Sequence, residues 1–138
     1  MVDETRVLRL LRGVSDDLAI LRSAQQDPAD RRSELLWLRG IKYTFLTAIE
    51  ACIDTAQHFC ASEGWGPPES NAEAMVLLGR HGVLDAELTD RMRRAVGFRN
   101  VLVHEYVKVD DSIVLAMLND PGDLALFTQQ LAEWLDQS

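Results

Sequence analysis

Hydrophobic residues recur through most of the chain at the three- and four-residue spacing that is typical of α-helices. In residues 3–24 this spacing predicts an amphipathic helix packed along a neighbour, with its apolar face made of Val7, Leu11, Val14, Leu18 and Leu21. Residues 30–62 predict a longer helix whose broader apolar face consists of Leu35, Leu38, Ile41, Phe45, Ala48, Ile49, Cys52, Ile53 and Ala56. Because a broad face implies contact on two sides, we expect this helix to meet the first helix and either the helix at 85–104 or a second copy of the chain.

Turn and capping residues divide the second half of the chain into shorter helices. Gly-Trp-Gly-Pro-Pro at residues 64–68 ends the second helix, because proline cannot continue one. Ser70 and Glu73 form a capping box that predicts a helix over 70–81. Further helices are predicted over 85–104, 110–118 and 123–136, the last with an inward face of Leu124, Phe127, Leu131, Leu135 and, as a further candidate, Trp134. With no strand pattern, the sequence predicts a single all-α domain over 1–138, an antiparallel bundle of four or five helices.

A polar cluster interrupts the helix predicted at 85–104. The apolar stripe of this helix consists of Leu88, Met92, Ala95 and Leu102. At about 100° per residue, Arg99 and Tyr106 fall on the same stripe. A guanidinium keeps its charge and is costly to bury unpaired, so we do not expect this stripe to face a dry core along its whole length.

Arg99, Asn100 and His104 lie close together in this cluster. Asn100 and His104 are four residues apart and share one helix face. Arg99 and His104 are five apart, which places them about 140° apart around a regular helix. Either the helix loosens before His104, or a second copy of the chain completes a site that uses both side chains.

These residue types suit RNA cleavage without a metal ion. An imidazole titrates near neutral pH and can take a proton from a ribose 2′-hydroxyl or give one to the leaving 5′-oxygen. A guanidinium matches phosphate oxygens and stabilises the charge that develops on them. Taken singly, however, His104 would be an ordinary structural histidine, and Arg99 the ion-pair partner of Glu105 or of an acid on another helix.

The pattern Arg-Asn-x-x-x-His followed by x-Tyr, at residues 99–106, resembles the signature of HEPN domains, in particular their HepT toxin branch. The resemblance implies a HEPN-like helical homodimer in which two copies of the motif meet across a two-fold axis. It implies that Arg99 holds the phosphate, that His104 is the general acid or base, and that Asn100 hydrogen-bonds the imidazole or the phosphate. The expected product carries a 2′,3′-cyclic phosphate.

The same resemblance gives Tyr106 a role. In HepT toxins the tyrosine at this motif position is modified with AMP by a partner nucleotidyltransferase, the antitoxin, and this silences the toxin. Phosphates added two residues from His104 would place negative charge where RNA should bind. The Gly-Ser and Asp-x-Asp pattern of a nucleotidyltransferase is absent from this chain, so that activity would come from a cognate minimal nucleotidyltransferase.

The distribution of charge favours the motif as the place where RNA would bind. The net charge is −8, yet residues 80–108 contain six basic and four acidic residues, which leaves −10 in the remainder. Arg91, Arg94 and Lys108 are therefore candidate RNA-binding residues. The simpler interpretation of Arg91, Arg93 and Arg94 is a solvated basic helix face.

Several function classes lack their sequence signals. There is no His-Glu-x-x-His, paired Cys-x-x-Cys or glycine-rich phosphate loop, so no metal site and no cofactor are expected. Cys52 and Cys60, eight residues apart on one helix, would be separated by about 12 Å, too far for a disulfide. Buried free thiols, a charged N-terminus and the lack of a long apolar run indicate a cytoplasmic protein with no membrane segment.

Three functions are compatible with these observations. The first is a metal-independent endoribonuclease that is the toxin of a toxin–antitoxin pair. The alternative is a non-catalytic HEPN-like module that binds a nucleotide or a nucleotidyltransferase partner, and the acidic net charge favours it. The third is a dimeric structural bundle in which Arg99 forms an ion pair between subunits.

Overall fold

The computed structural model describes residues 1–104 and 109–137, and this part of the chain is all α-helical. Within these ranges it contains six α-helices: α1 (Glu4–Ala24), α2 (Leu35–Glu63), α3 (Asn71–Arg80), α4 (Ala86–Val103), α5 (Asp111–Asn119) and α6 (Gly122–Gln137). A short 3-10 helix at Ala29–Ser33 precedes α2, and the described residues contain no strand. The all-α prediction is confirmed, with four longer helices (α1, α2, α4 and α6) and two short ones.

Side chains cap the starts of four helices. In α1, α3, α4 and α5 a backbone N–H of the first turn donates to the capping side chain, which belongs to Asp3, Ser70, Asp85 and Asp110 respectively. The predicted capping box is present in a shifted form. Ser70 Oγ accepts from the N–H of Glu73 at 3.0 Å, but the Glu73 carboxylate accepts from the N–H of Glu69.

The second helix begins later than the sequence pattern predicted. Glu34 is extended, with φ −75° and ψ 124°, and separates the 3-10 helix from α2. The indole N–H of Trp37 donates to Asp27 Oδ2 at 2.8 Å and holds the start of α2 against the end of α1. Leu35, predicted to lie on the apolar face, is instead the first residue of α2 and is 62% exposed.

The central helix of the bundle is α2, which contacts all five other α-helices of the described ranges. Hydrogen bonds along its length show that it runs antiparallel to α1; they join Asp3 to His58, Asp17 to Thr47 and Asp27 to Trp37. The breadth of its apolar face is therefore accounted for within one chain. A second copy is not needed to explain it.

Helices α4 and α6 both contact α2 and each other, and each contributes buried residues to the core. The fully buried residues of α4 are Leu88, Met92 and Val96, whereas Ala95, Phe98 and Leu102 are half-buried. Val96 was not part of the predicted stripe. In α6 the predicted inward residues Leu124, Phe127, Leu131 and Leu135 are all buried, and Trp134 packs against the core.

His58 forms a pH-sensitive contact between α2 and the start of α1. Its Nε2 accepts a hydrogen bond from the N–H of Asp3 at 3.0 Å, so the neutral imidazole is the form that fits. Burial, together with the positive charge of Arg6, lowers the pKa of His58 below its usual 6.5. The unfolded chain then binds this proton more readily than the folded chain, so the free energy of unfolding falls as the pH drops below 6.5.

We expect protonation of His58 to remove at most about 1 kcal/mol, the contribution of one hydrogen bond. Urea unfolding of the wild type and of His58→Gln across this pH range measures the effect. His58→Gln should lose this part of the pH dependence, whereas the control His81→Gln should retain it. Identical pH profiles for wild type and His58→Gln would contradict the prediction.

Candidate functional site

Arg99 lies on the side of α4 that faces α2, at a stripe position where a core residue was expected. Its side chain is 23% exposed, and Nε donates to a carboxylate oxygen of Glu50 on α2. Nη1 of the same guanidinium donates to Asn100 Oδ1 at 3.0 Å. The partly buried charge is thus paired, as its desolvation requires. The ion pair that the structural-bundle hypothesis placed between subunits forms within one chain.

Glu50 was not among the residues predicted to belong to the site. A signal was present, because Glu50 is the only charged residue between Ala48 and Ile53, in an otherwise apolar stretch of α2. A lone acid at such a position predicts a cationic partner. Which cation is the partner depends on how α2 and α4 pack, since 49 residues separate Glu50 from Arg99.

Aromatic packing fixes the backbone on both sides of this ion pair. The rings of Phe98 and Phe45 meet edge to face, with centroids 5.9 Å apart and an interplanar angle of 87°. Phe45 and Ile49 are each 1% exposed, so Glu50 projects from a buried part of α2. Phe98 precedes Arg99 directly, so the arginine also starts from a backbone that is packed against the core.

His104 is the C-cap of α4, and its side chain is exposed. Its N–H donates to the carbonyl oxygen of Asn100 at 3.3 Å, so the helical hydrogen bonds continue as far as His104. Its φ of −84° is close to helical and its ψ of 90° is not, so the chain leaves the helix after His104 and not before it. The Cβ of His104 therefore stays near its helical direction, about 140° from that of Arg99.

The arginines predicted to contact RNA are paired with acids in this structure. Arg91 Nη1 lies 3.2 Å from Asp123 Oδ1 on α6, and its Nη2 contacts Glu87. Arg94 Nη2 lies 2.8 Å from Asp90 Oδ2, but the Arg94 side chain is 78% exposed. The local positive charge is therefore largely offset by acids, and Arg94 is the more accessible of the two arginines.

A cavity of about 510 Å³ opens beside these arginines, between α2, α4, α5 and the start of α6. Its floor is apolar and includes Phe45, Met92 and Phe98, and Arg91 and Arg94 lie at its edge. Phe98 connects this cavity to the position of Arg99. Two further predicted residues, Tyr106 and Lys108, lie outside the described residues, as does Glu105.

The described residues provide no metal site, and their two cysteines are free thiols. In the part of the chain that the structure describes, no group of three or more His, Cys, Asp or Glu residues is arranged to hold a metal ion. Cys52 and Cys60 are buried free thiols, as predicted, and burial raises the pKa of both. Among the helices of the described ranges, none is both long enough and apolar enough for a bilayer crossing.

Comparison with known proteins gives a consistent set of relatives. A sequence model of the family described as "Ribonuclease HepT-like" matches residues 14–131, which include the motif. The mRNA nuclease HepT of Shewanella oneidensis is 35% identical over 66 residues, which are 48% of this chain and 50% of that protein. This match thus spans only half the length of that relative. A putative RNase of Archaeoglobus fulgidus is 31% identical over 99 residues, 71% of this chain and 74% of that protein.

A solved structure shares the fold over almost the whole chain. It is the tri-AMPylated Shewanella oneidensis HEPN toxin in complex with MNT antitoxin, which superposes with a TM-score of 0.87. The match covers 96% of this chain and 99% of that chain, at 21% sequence identity. At this identity the similarity establishes a common fold.

Proposed function

Because this chain belongs to the HepT-like ribonuclease family, we propose that it is a metal-independent endoribonuclease and the toxin of a toxin–antitoxin pair. The observation that supports this most directly is the presence of Arg99, Asn100 and His104 at the end of α4, with the guanidinium oriented by Glu50 and Asn100. The relatives named as an mRNA nuclease and a putative RNase support the class of reaction.

In the proposed reaction the 2′-oxygen of a ribose attacks the adjoining phosphorus, and the bond from phosphorus to the 5′-oxygen breaks. His104 takes the proton of the 2′-hydroxyl or gives a proton to the leaving 5′-oxygen. Arg99 stabilises the negative charge that grows on the phosphate oxygens in the transition state. One product ends in a 2′,3′-cyclic phosphate and the other in a 5′-hydroxyl.

We further propose that the site is composite, with Arg99 of one copy acting beside His104 of the other in a two-fold dimer. The divergence of these two side chains on one helix supports this arrangement. Arg91, Arg94 and Lys108 would then contact the RNA backbone on either side of the scissile phosphate. Arg91 must first exchange its contacts with Asp123 and Glu87 for phosphate, so Arg94 is expected to contribute more.

Control of the toxin would come from a cognate minimal nucleotidyltransferase antitoxin in the cytoplasm. We propose Tyr106 as the residue that it modifies with AMP, on the basis of its place in the motif. The fold shared with an AMPylated toxin bound to an antitoxin supports this proposal. Mass spectrometry after co-expression with a nucleotidyltransferase of this class would find the AMP group on Tyr106 and not on Tyr43.

Incubation of the purified protein with total cellular RNA in excess EDTA tests the proposed reaction. We expect new fragments with cyclic phosphate and 5′-hydroxyl ends, and we expect their loss in His104→Ala protein purified in parallel. Equal cutting by both proteins, or the absence of cutting by the wild type, would exclude catalysis at this site.

The non-catalytic module remains a second candidate, because Arg99, Arg91 and Arg94 are all paired with acids in the free chain. The two functions differ in the effect of expression on cell growth. A toxin should arrest growth, and Arg99→Ala should relieve the arrest. A binding module should leave growth unchanged in both forms.

A further inference from the structure

We propose that Glu50 is a positioning residue that holds Arg99 in the orientation needed for RNA cleavage. This inference rests on the proposed function, in which Arg99 binds the scissile phosphate. Glu50 belongs to α2, 49 residues from Arg99 in sequence, and the ion pair joins it to the motif helix.

The geometry of the guanidinium indicates how the positioning works. Glu50 accepts from Nε and Asn100 accepts from Nη1, so these two contacts fix the plane of the guanidinium. Nη2 carries two further N–H donors, and one hydrogen of Nη1 also remains. A phosphate can therefore bind the outer edge of the group while Glu50 and Asn100 keep their contacts.

The position of Glu50 favours a supporting role over competition with RNA. Its carboxylate lies on the Nε side, whereas a phosphate at the outer edge lies on the opposite side. The phosphate is then closer to the positive guanidinium than to the negative carboxylate, so attraction outweighs repulsion. The Glu50 side chain is 36% exposed, but it starts beside the buried Ile49, so core packing holds the backbone from which it reaches Arg99.

The proposal requires the Glu50 side chain to be long enough to contact Arg99. Substitutions at Glu50 separate the effect of its length from the effect of its charge. Glu50→Gln keeps the length and an acceptor oxygen but removes the charge. Glu50→Asp keeps the charge but withdraws the carboxylate by one methylene, and Glu50→Ala removes the contact. Asp54→Asn is the matched control, since Asp54 is an exposed acid one turn further along α2.

We expect Glu50→Gln to retain kcat within about threefold, and Glu50→Asp and Glu50→Ala to lower kcat by about ten- to a hundredfold with KM changed by less than about twofold. Asp54→Asn should match the wild type. The substrate is total cellular RNA in EDTA, and rates are normalised to the folded fraction from urea unfolding of each variant. A structural role alone would change unfolding but not kcat per folded molecule.

The outcomes distinguish this inference from the proposed function. If the wild type cleaves RNA and Glu50→Asp equals it in kcat, Glu50 does not position Arg99, although the nuclease function stands. An effect confined to KM, or an equal loss in Asp54→Asn, also overturns the inference. If the wild type does not cleave RNA, both proposals fail. If Glu50→Ala does not fold, the kcat values of Glu50→Gln and Glu50→Asp decide whether Glu50 positions Arg99.

Discussion

Alanine at His104 or at Arg99 is expected to slow RNA cleavage by about a hundred- to a thousandfold each. His104→Ala removes the group that transfers protons, and Arg99→Ala removes the charge that stabilises the transition state. Initial rates on total RNA in EDTA, at several RNA concentrations, measure both effects. In each variant we expect the loss to lie mainly in kcat, because each group acts most strongly on the transition state.

The two variants should differ in stability, which provides a control. His104 is exposed at a helix end, so His104→Ala should change the free energy of unfolding by less than about 0.5 kcal/mol. Arg99→Ala leaves the carboxylate of Glu50 without its partner and should cost about 1–2 kcal/mol. A severe loss of stability in Arg99→Ala with unchanged cleavage per folded molecule would show that the ion pair is only structural.

A mixture of the two inactive proteins tests the composite site. In a dimer that contains one Arg99→Ala chain and one His104→Ala chain, one site lacks both groups and the other site has both. Random exchange of subunits should then restore about a quarter of the wild-type rate. No recovery after exchange, or a wild-type protein that sediments as a monomer at micromolar concentration, would contradict the shared site.

Phe59→Ala is expected to lower the free energy of unfolding by about 3–5 kcal/mol. Phe59 is 0% exposed, and its ring centroid lies 5.3 Å from that of Trp134 on α6 and 6.5 Å from that of Trp65. Its removal leaves a cavity where α2 meets α6. The expected loss is a large fraction of the total free energy of unfolding of a typical domain, which is about 5–15 kcal/mol.

Urea unfolding followed by tryptophan fluorescence measures this loss. Tyr43→Ala is the matched control, because Tyr43 is an aromatic residue on the same helix that is 66% exposed. The control should change stability by less than about 0.5 kcal/mol. A loss below about 1 kcal/mol in Phe59→Ala would contradict the packing described for α2 and α6.

Helix positions were predictable here because their signals are local. Ser70 and Asp85 cap the helices that follow them, and both starts were predicted to within one residue. The start of α2 was wrong by five residues. The extended Glu34 interrupts the helix there. The accompanying contact of Trp37 joins α2 to Asp27, in the turn after α1, and leaves no periodic signal.

The candidate site was only half predictable, because contacts between helices leave no local signal in the sequence. A charge on the apolar stripe showed that Arg99 needs a partner, but the identity of Glu50 depends on the packing of α2 against α4. The width of the α2 face predicted contact with α1 and with either α4 or a second copy, and within the described residues α2 contacts α1, α4 and the three other α-helices. The roles of Tyr106 and Lys108 stay predictions from the motif, since both lie outside the described residues.

Because Glu50 precedes Arg99 by 49 residues, the ribosome synthesises Glu50 first. Helices α1 and α2 pack against each other, so the acid can be in place on the nascent chain before α4 has left the ribosome. A translation product that stops short of α4 contains Glu50 but neither Arg99 nor His104. Copies of this polypeptide that terminate before α4 are therefore harmless to RNA under the proposed mechanism.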